Sequence, residues 1–206
     1  AGKTTSLRIA AGLLPPDAGT ASVDGASTAA APLQVRKNVG ALPHAHGLYP
    51  RMTSREHVRY FGRLHGLTDD VIADRTDKLA DLLDMREIID RKTDGFSQGQ
   101  KLKVAIARML VHEPQNVILD EPTAGLDVKG TRAMREVIRA QRDAGRCVMF
   151  SSHVMQEVAA LCDRIIVIAG GKVTAQGTPA ELMAATGKAT LEDAFVAAVG
   201  TDEGLA

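Results

Sequence analysis

Tryptophan is absent from this chain, and phenylalanine and tyrosine bring the aromatic content to only 3%. A surface that stacks successive bases needs such rings, so a platform for single-stranded nucleic acid is not expected. Neither sign of charge is in excess: 25 basic residues face 25 acidic ones, which removes any overall attraction to nucleic acid or anionic lipid. Long apolar runs are missing as well. None approaches the roughly 20 residues that cross a bilayer, so work at a membrane is expected to need another chain. Only two cysteines occur, Cys147 and Cys162, in apolar surroundings and without metal-ligand spacing. That usage predicts reduced thiols in a core. The 206 residues suffice for one domain, or a domain with a sub-domain, around a substantial core.

The most informative stretch is Asn116-Val117-Ile118-Leu119-Asp120-Glu121-Pro122. A short apolar run ending in two carboxylates reads as a buried parallel strand whose carboxyl end opens onto a ligand. An aspartate there can reach a magnesium ion, and the next carboxylate can hold a water that attacks a phosphate. Pro122 has no amide hydrogen for the ladder and stops the strand. Such a strand end also occurs with no chemistry attached, so other stretches decide.

Gly2-Lys3-Thr4-Thr5 opens a helix that glycine and proline close near residue 14. Gly-Lys-Thr at a helix start is the back half of a P-loop, in which backbone amides wrap phosphates, the lysine reaches the β and γ groups and a threonine binds magnesium. Ser97-Gln98-Gly99-Gln100 precedes a helix with the apolar stripe Leu102, Ala105, Ile106, Met109 and Leu110. Its start favours an anion, but from this stretch alone an ordinary N-cap is the better explanation. Ser152-His153 follows a strand at residues 146–151, where open sheets bind ligands. His44 and His46 lack the third ligand a metal site would need and read as a polar loop.

Between these motifs, residues 17–25 read as a turn and short strand, and 39–43 as a second strand. Thr53 and Glu56 form a capping box ahead of a helix whose inner side carries Val58, Phe61 and Leu64. Thr68 caps another that presents Ile72, Leu79, Leu82 and Leu83. Met134, Val137 and Ile138 place a helix on the sheet, Gly170-Gly171 turns a hairpin, and helices follow from Pro179 and Thr190. The strand-helix alternation predicts an α/β fold, interrupted by an all-helical insert.

Ala1-Gly2-Lys3-Thr4-Thr5, Phe96-Ser97-Gln98-Gly99-Gln100, Val117-Ile118-Leu119-Asp120-Glu121-Pro122-Thr123, Ala124-Gly125-Leu126-Asp127 and Ser152-His153 stand in an order that resembles the ATP-binding subunits of ABC transporters. The resemblance covers essentially the whole chain. The segments Gly47 to Thr53, Tyr60 to Gly66 and Leu191 to Phe195 are most similar to the subgroup that exports drugs or sodium. It implies a P-loop NTPase with a mostly parallel sheet flanked by helices: core residues 1–52, a helical sub-domain with the signature loop at 53–112, core again at 113–178, and C-terminal helices at 179–206.

The resemblance also implies roles. Gly2, Lys3, Thr4 and Thr5 would bind ATP, with Thr4 and Asp120 holding Mg2+ and His44 a further candidate beside the ion. Glu121 would be the general base or water-positioning group, and His153 the switch at the γ phosphate. Ser97, Gly99 and Gln100 would serve the nucleotide of a second ATPase domain, across which Asp127 makes contact. The partners implied are that second ATPase domain and an integral membrane permease, at the cytoplasmic face of the membrane, with no nucleic acid. His44 stands where the family has a glutamine that reports on magnesium, Gln98 replaces the first signature glycine, and Phe96 its leucine.

An ABC-type ATPase with output in DNA repair or translation is disfavoured by the lack of a coiled-coil insertion, zinc cysteines and basic character. A regulatory module without turnover is disfavoured by Glu121. A GTPase reading of Arg91-Lys92-Thr93-Asp94 lacks the base-reading asparagine. Because the family's adenine-stacking aromatic, central strand and half of its P-loop fall before Ala1, the 206-residue chain on its own is expected to fold poorly and bind ATP weakly; titration returning ordinary ATP affinity would overturn that.

Overall fold

The computed structural model describes residues 2–43 and 47–200. The chain forms two compact units, one of residues 8–150 and one of residues 1–7 with 151–206. Helix α1 (Lys3–Ala10) carries the chain from the second to the first.

In the larger unit, β1 (Ser22–Val23) and β2 (Ala26–Ser27) pair antiparallel. Asp24 and Gly25 between them both have positive φ, 50° and 78°, the backbone that a two-residue hairpin turn of right-twisted strands demands. Helix α2 (Pro32–Asn38) begins with proline in its first turn, where no amide partner is lost. It runs straight into β3 (Val39–Leu42), which pairs in parallel with β4 (Asn116–Asp120), Val39 opposite Asn116 and Leu42 opposite Leu119. On the far side of β4 lies β5 (Cys147–Ser151), giving the order β3-β4-β5. The central strand is therefore enclosed, and Val117, Ile118 and Leu119 are all buried, which accounts for its unbroken apolar run. Helix α6 (Val128–Asp143) packs Met134, Val137 and Ile138 inward as the stripe predicts.

Three further helices occupy the stretch between β3 and β4: α3 (Ser54–Leu64), α4 (Asp69–Leu82) and α5 (Gln98–Leu110). The Thr53–Glu56 capping box forms at the start of α3. The stripe on α5 is buried, and Val104 and Ala107 are buried with it, so α5 is enclosed on nearly every side. Its end approaches β3 closely because Gly40 has no side chain; a Cβ there would lie 2.7 Å from Pro114 and 3.0 Å from the Met109 carbonyl oxygen. The two ends of the α3–α4 excursion are stitched together. Thr53 bridges Lys92, the Ser54 hydroxyl donates to the Ile88 carbonyl at 2.9 Å, and the Thr93 hydroxyl donates to the Tyr49 carbonyl at 3.0 Å.

Two expected helix faces are corrected. Leu64 is 65% exposed and Leu82 47% exposed. The seam α3 turns inward is instead Ser54, His57, Val58 and Gly62, spaced i, i+3, i+4 and i+8. Gly62 is what lets α4 in, since a Cβ there would meet Ile72 at 2.7 Å. His57 is fully buried and satisfied at both nitrogens: Nδ1–H donates to the Thr53 carbonyl at 2.8 Å, and Nε2 accepts from the Tyr49 amide at 2.9 Å. Cys147 also departs from expectation, being exposed on β5, while Cys162 is half-buried and its thiol is pushed up to about 11 by burial and by Asp163.

In the smaller unit, β6 (Ile165–Ala169) and β7 (Lys172–Gly177) form the expected hairpin around Gly170 and Gly171, with a register slip between Val167 and Ile168. Helix α7 (Met155–Leu161) precedes it. Helices α8 (Pro179–Thr186) and α9 (Leu191–Val199) follow, the first opened by a Thr178–Glu181 capping box and the second burying Ala194.

Buried histidines give the larger unit an acid-sensitive stability. Burial pushes His112 down to about 4, the stacked ring of His65 and the cations Arg75 and Arg146 acting in the same direction against the Val39 carbonyl. Burial lowers His57 and His65 too. These rings are neutral in the fold but protonate on unfolding near their ordinary value of about 6.5, so the unfolded state binds more protons below that pH. Stability is fully present above pH ~6.5 and declines as pH falls toward about 4. Urea unfolding from pH 4 to 7 should show this slope, and His112→Phe, which keeps a stacked ring, should reduce it by up to about one proton.

Candidate functional site

In the larger unit the site is built at the carboxyl end of β4. Asp120 is 6% exposed, the last residue of the enclosed strand. Glu121 follows with φ of 51°, in the left-handed region, a conformation that costs a non-glycine residue on the order of 1–2 kcal/mol. Beyond buried Pro122 the loop is tied down locally: the Ala124 amide donates to the Glu121 carbonyl at 3.1 Å, and the Leu126 amide to the Thr123 carbonyl at 3.2 Å. Asp127 then caps α6, its Oδ1 accepting from the Gly130 amide at 2.6 Å.

Opposite this loop lies the start of α5. Ser97 Oγ accepts from the Gln100 amide at 3.2 Å, and Gln100 Oε1 accepts from the Ser97 amide at 3.0 Å. This reciprocal box uses the lone pairs of both side chains and leaves the serine hydroxyl hydrogen able to donate outward. The amides of Gln98 and Gly99, in the first turn, have no intrahelical acceptors. A Cβ built on Gly99 meets nothing within 4 Å, so that face is open to a ligand.

A cavity of about 500 Å3 joins the two halves of this site. Glu121 and Pro122 line it with Gly125, and so do Asp94, Gln98 and Lys101. The fold thus brings the carboxylate predicted to do chemistry onto one cavity with the first turn of the signature helix. Gln98 was noticeable in the sequence only as a replaced glycine, and Lys101 only as a helix residue; their shared cavity depends on a tertiary approach that spacing does not reveal.

The remaining predicted residues belong to the smaller unit. Gly2 has φ of 92°, and Lys3, Thr4 and Thr5 make the first turn of α1, with the Ser6 amide and hydroxyl both donating to the Gly2 carbonyl at 3.0 Å. Lys3 and Thr4 are half-buried and Thr5 exposed. His153 is exposed just after β5. Its approach is fixed by Ser152, whose hydroxyl donates to the buried carboxylate of Glu157 at 3.2 Å and accepts from the Val154 amide at 3.0 Å. No sequence motif singled out Glu157. His44 and His46 lie outside the described residues, among which no three histidine, cysteine or acidic side chains converge as a metal cluster.

The family model described as ABC transporter matches residues 1–124, and the chain belongs to that family, with the α/β fold of its P-loop ATPases. It is 44% identical over 178 residues to the ABC transporter ATP-binding protein NatA of Bacillus subtilis (strain 168), covering 86% of this chain and 72% of the relative. Over 183 residues it is 36% identical to a Nod factor export ATP-binding protein I of Burkholderia lata, covering 89% of this chain and 60% of the relative. A solved ATP-binding subunit of an ABC transporter superposes with a TM-score of 0.88 at 28% identity, over 97% of this chain and 84% of the other.

The cap at Asp127 yields a stability test. Asp127→Ala should lower thermal stability by about 1 kcal/mol, while Asp127→Asn, which retains an acceptor, should hold close to the parent; equal melting of all three would show that the cap contributes nothing to the loop.

Proposed function

We propose that this chain is the ATP-hydrolysing subunit of an ABC export system, acting with a second ATPase domain and a separate membrane permease. The observation that carries this reading is the Asp120–Glu121 pair at the mouth of an enclosed strand, with Glu121 on a left-handed backbone and lining the cavity beside it. The export-named relative and the ATP-binding relative support the direction and the nucleotide.

In this reading Lys3 neutralises the β and γ phosphates, and the first-turn amides of α1 cradle them. The hydroxyl of Thr4 and the carboxylate of Asp120 are hard oxygen donors suited to magnesium. A magnesium ion held by these two residues would supply positive charge against the phosphate as its terminal bond breaks. Glu121 orients the attacking water and accepts its proton. His153 holds the γ phosphate from the end of β5. Ser97, through its hydroxyl hydrogen, and the amides of Gln98 and Gly99 present donors to the nucleotide held by the second domain, with Gln100 fixing the turn and Asp127 contacting across the pair.

Closing two such domains around ATP excludes water and strengthens each of these contacts. Hydrolysis then removes the ligand that joins them. The assembly would sit peripherally at the cytoplasmic face of the membrane; among the described residues no helix is long and apolar enough to cross it.

Glu121→Gln in the complete protein should retain ATP binding, lower turnover by about a hundredfold or more and accumulate an ATP-bound dimer in size-exclusion chromatography. Hydrolysis at the parental rate would remove Glu121 from the role assigned to it.

A further inference from the structure

Helix α7 starts differently from α3, α5 and α8. Each of those opens with a serine or threonine at the N-cap, and the Glu or Gln at the third helix position accepts directly from the N-cap amide: Glu56 from Thr53 at 2.7 Å, Gln100 from Ser97 at 3.0 Å, Glu181 from Thr178 at 2.9 Å. The N-cap of α7 is Val154, whose side chain has no acceptor to offer. Glu157 stands at the third helix position all the same. The hydroxyl of Ser152 comes between the two: its Oγ accepts from the Val154 amide at 3.0 Å and donates to Glu157 Oε2 at 3.2 Å. The box is relayed through a hydroxyl instead of being closed directly.

That relay brackets His153. Ser152 and Val154 are its chain neighbours, and one hydroxyl ties the first to the amide of the second and both to the helix that follows. Val154 is held in turn by its own carbonyl, which accepts from the amides of Glu157 at 3.0 Å and Val158 at 3.2 Å. Glu157 is 3% exposed and Ser151, on the strand side, is buried, whereas His153 is exposed. A carboxylate so deeply buried must keep its oxygens hydrogen-bonded, so the serine hydroxyl is held firmly. The bonds on either side of His153 fix both of its peptide units, and with them the origin and direction of its Cα–Cβ bond.

We propose that Glu157 is a positioning residue for His153, acting through the Ser152 hydroxyl, and that this relay sets how well the site distinguishes a nucleotide carrying a γ phosphate from one without it. A hydrogen bond to a phosphate oxygen weakens steeply with misalignment, and a displacement of about 1 Å can cost on the order of a hundredfold in rate. Without the relay the 152–154 turn is free to move, and the ring meets the γ phosphate in only some of its conformations. The phosphate contacts assigned to Lys3 and the first turn of α1 belong to another element and stay as they are. ADP affinity is therefore spared while ATP affinity and turnover fall. This inference rests on the γ-phosphate role assigned to His153.

The test uses the complete protein, measuring steady-state ATP hydrolysis and equilibrium binding of ATP and ADP. Ser152→Ala should lower kcat about tenfold and weaken ATP binding about fivefold, with ADP binding changed less than about twofold. Ser152→Thr, which keeps the hydroxyl, should recover most of both losses. Glu157→Gln, which keeps an acceptor, should fall between the parent and Ser152→Ala. Added to His153→Ala, Ser152→Ala should cost less than about twofold more, because the relay works through that ring. If Glu157→Gln does not fold, the two Ser152 variants and the double variant decide. Parental kcat and ATP affinity in Ser152→Ala, equal weakening of ATP and ADP, or a full further loss in the double variant overturns this inference alone. Parental turnover and ATP affinity in His153→Ala overturns the reading of His153 beneath it.

Discussion

The constraint on which the larger unit depends is the enclosure of β4. A strand paired on both edges and covered by helices must be apolar along its length, and its polar residues can appear only where it leaves the sheet. Val117 to Leu119 satisfy the first condition, and Asp120 and Glu121 the second. The left-handed backbone at Glu121 is the local consequence. With Pro122 unable to continue the ladder, the chain turns at once, and the strain of that turn is held by short bonds in the following loop and by the Asp127 cap.

A second theme is burial of small and polar groups where two elements must come close. Gly40 admits the end of α5 to β3, and Gly62 admits Ile72 of α4 to α3. His57 occupies the inside of α3 with both nitrogens bonded to backbone, so it joins α3 to the segment at Tyr49 as a fixed tautomer. Each of these arrangements trades apolar area for proximity. Together they place the start of α5 against the loop after β4, and the cavity lined by Glu121 and Lys101 results.

This trade explains what could be read from the sequence. The capping box at Thr53, the run into Asp120, the α5 stripe and the Gly170–Gly171 hairpin depend on neighbours within a few residues, and all form as expected. The inner face of α3 is hidden from periodicity because apolar Phe61 and Leu64 outweigh a seam of Ser54, His57 and Gly62, whose burial depends on partners from distant segments. The second strand at Ala26–Ser27 went unread because two residues offer no periodicity. Cys147 was assigned to a core on the strength of its apolar neighbours, but β5 has an alternating pattern in which that position faces outward. At the site, Asp120, Glu121 and Ser97 were legible as motifs. Lys101 and Glu157 were not, since a charged residue reveals no cavity or buried acceptor until the chain has folded around it.

The stitching of residues 49–55 to 88–94 has a wider bearing. Because the α3–α4 excursion leaves and returns through adjoining strands of backbone, with Thr53 bridged to Lys92, its closure is settled at the base. Lengthening such a closed excursion adds little entropy cost, on the order of 0.6 kcal/mol per doubling. The outer surfaces of α3 and α4 are consequently free to diverge in length and composition, much as an exchangeable cartridge does, while the base keeps delivering α5 to the same address.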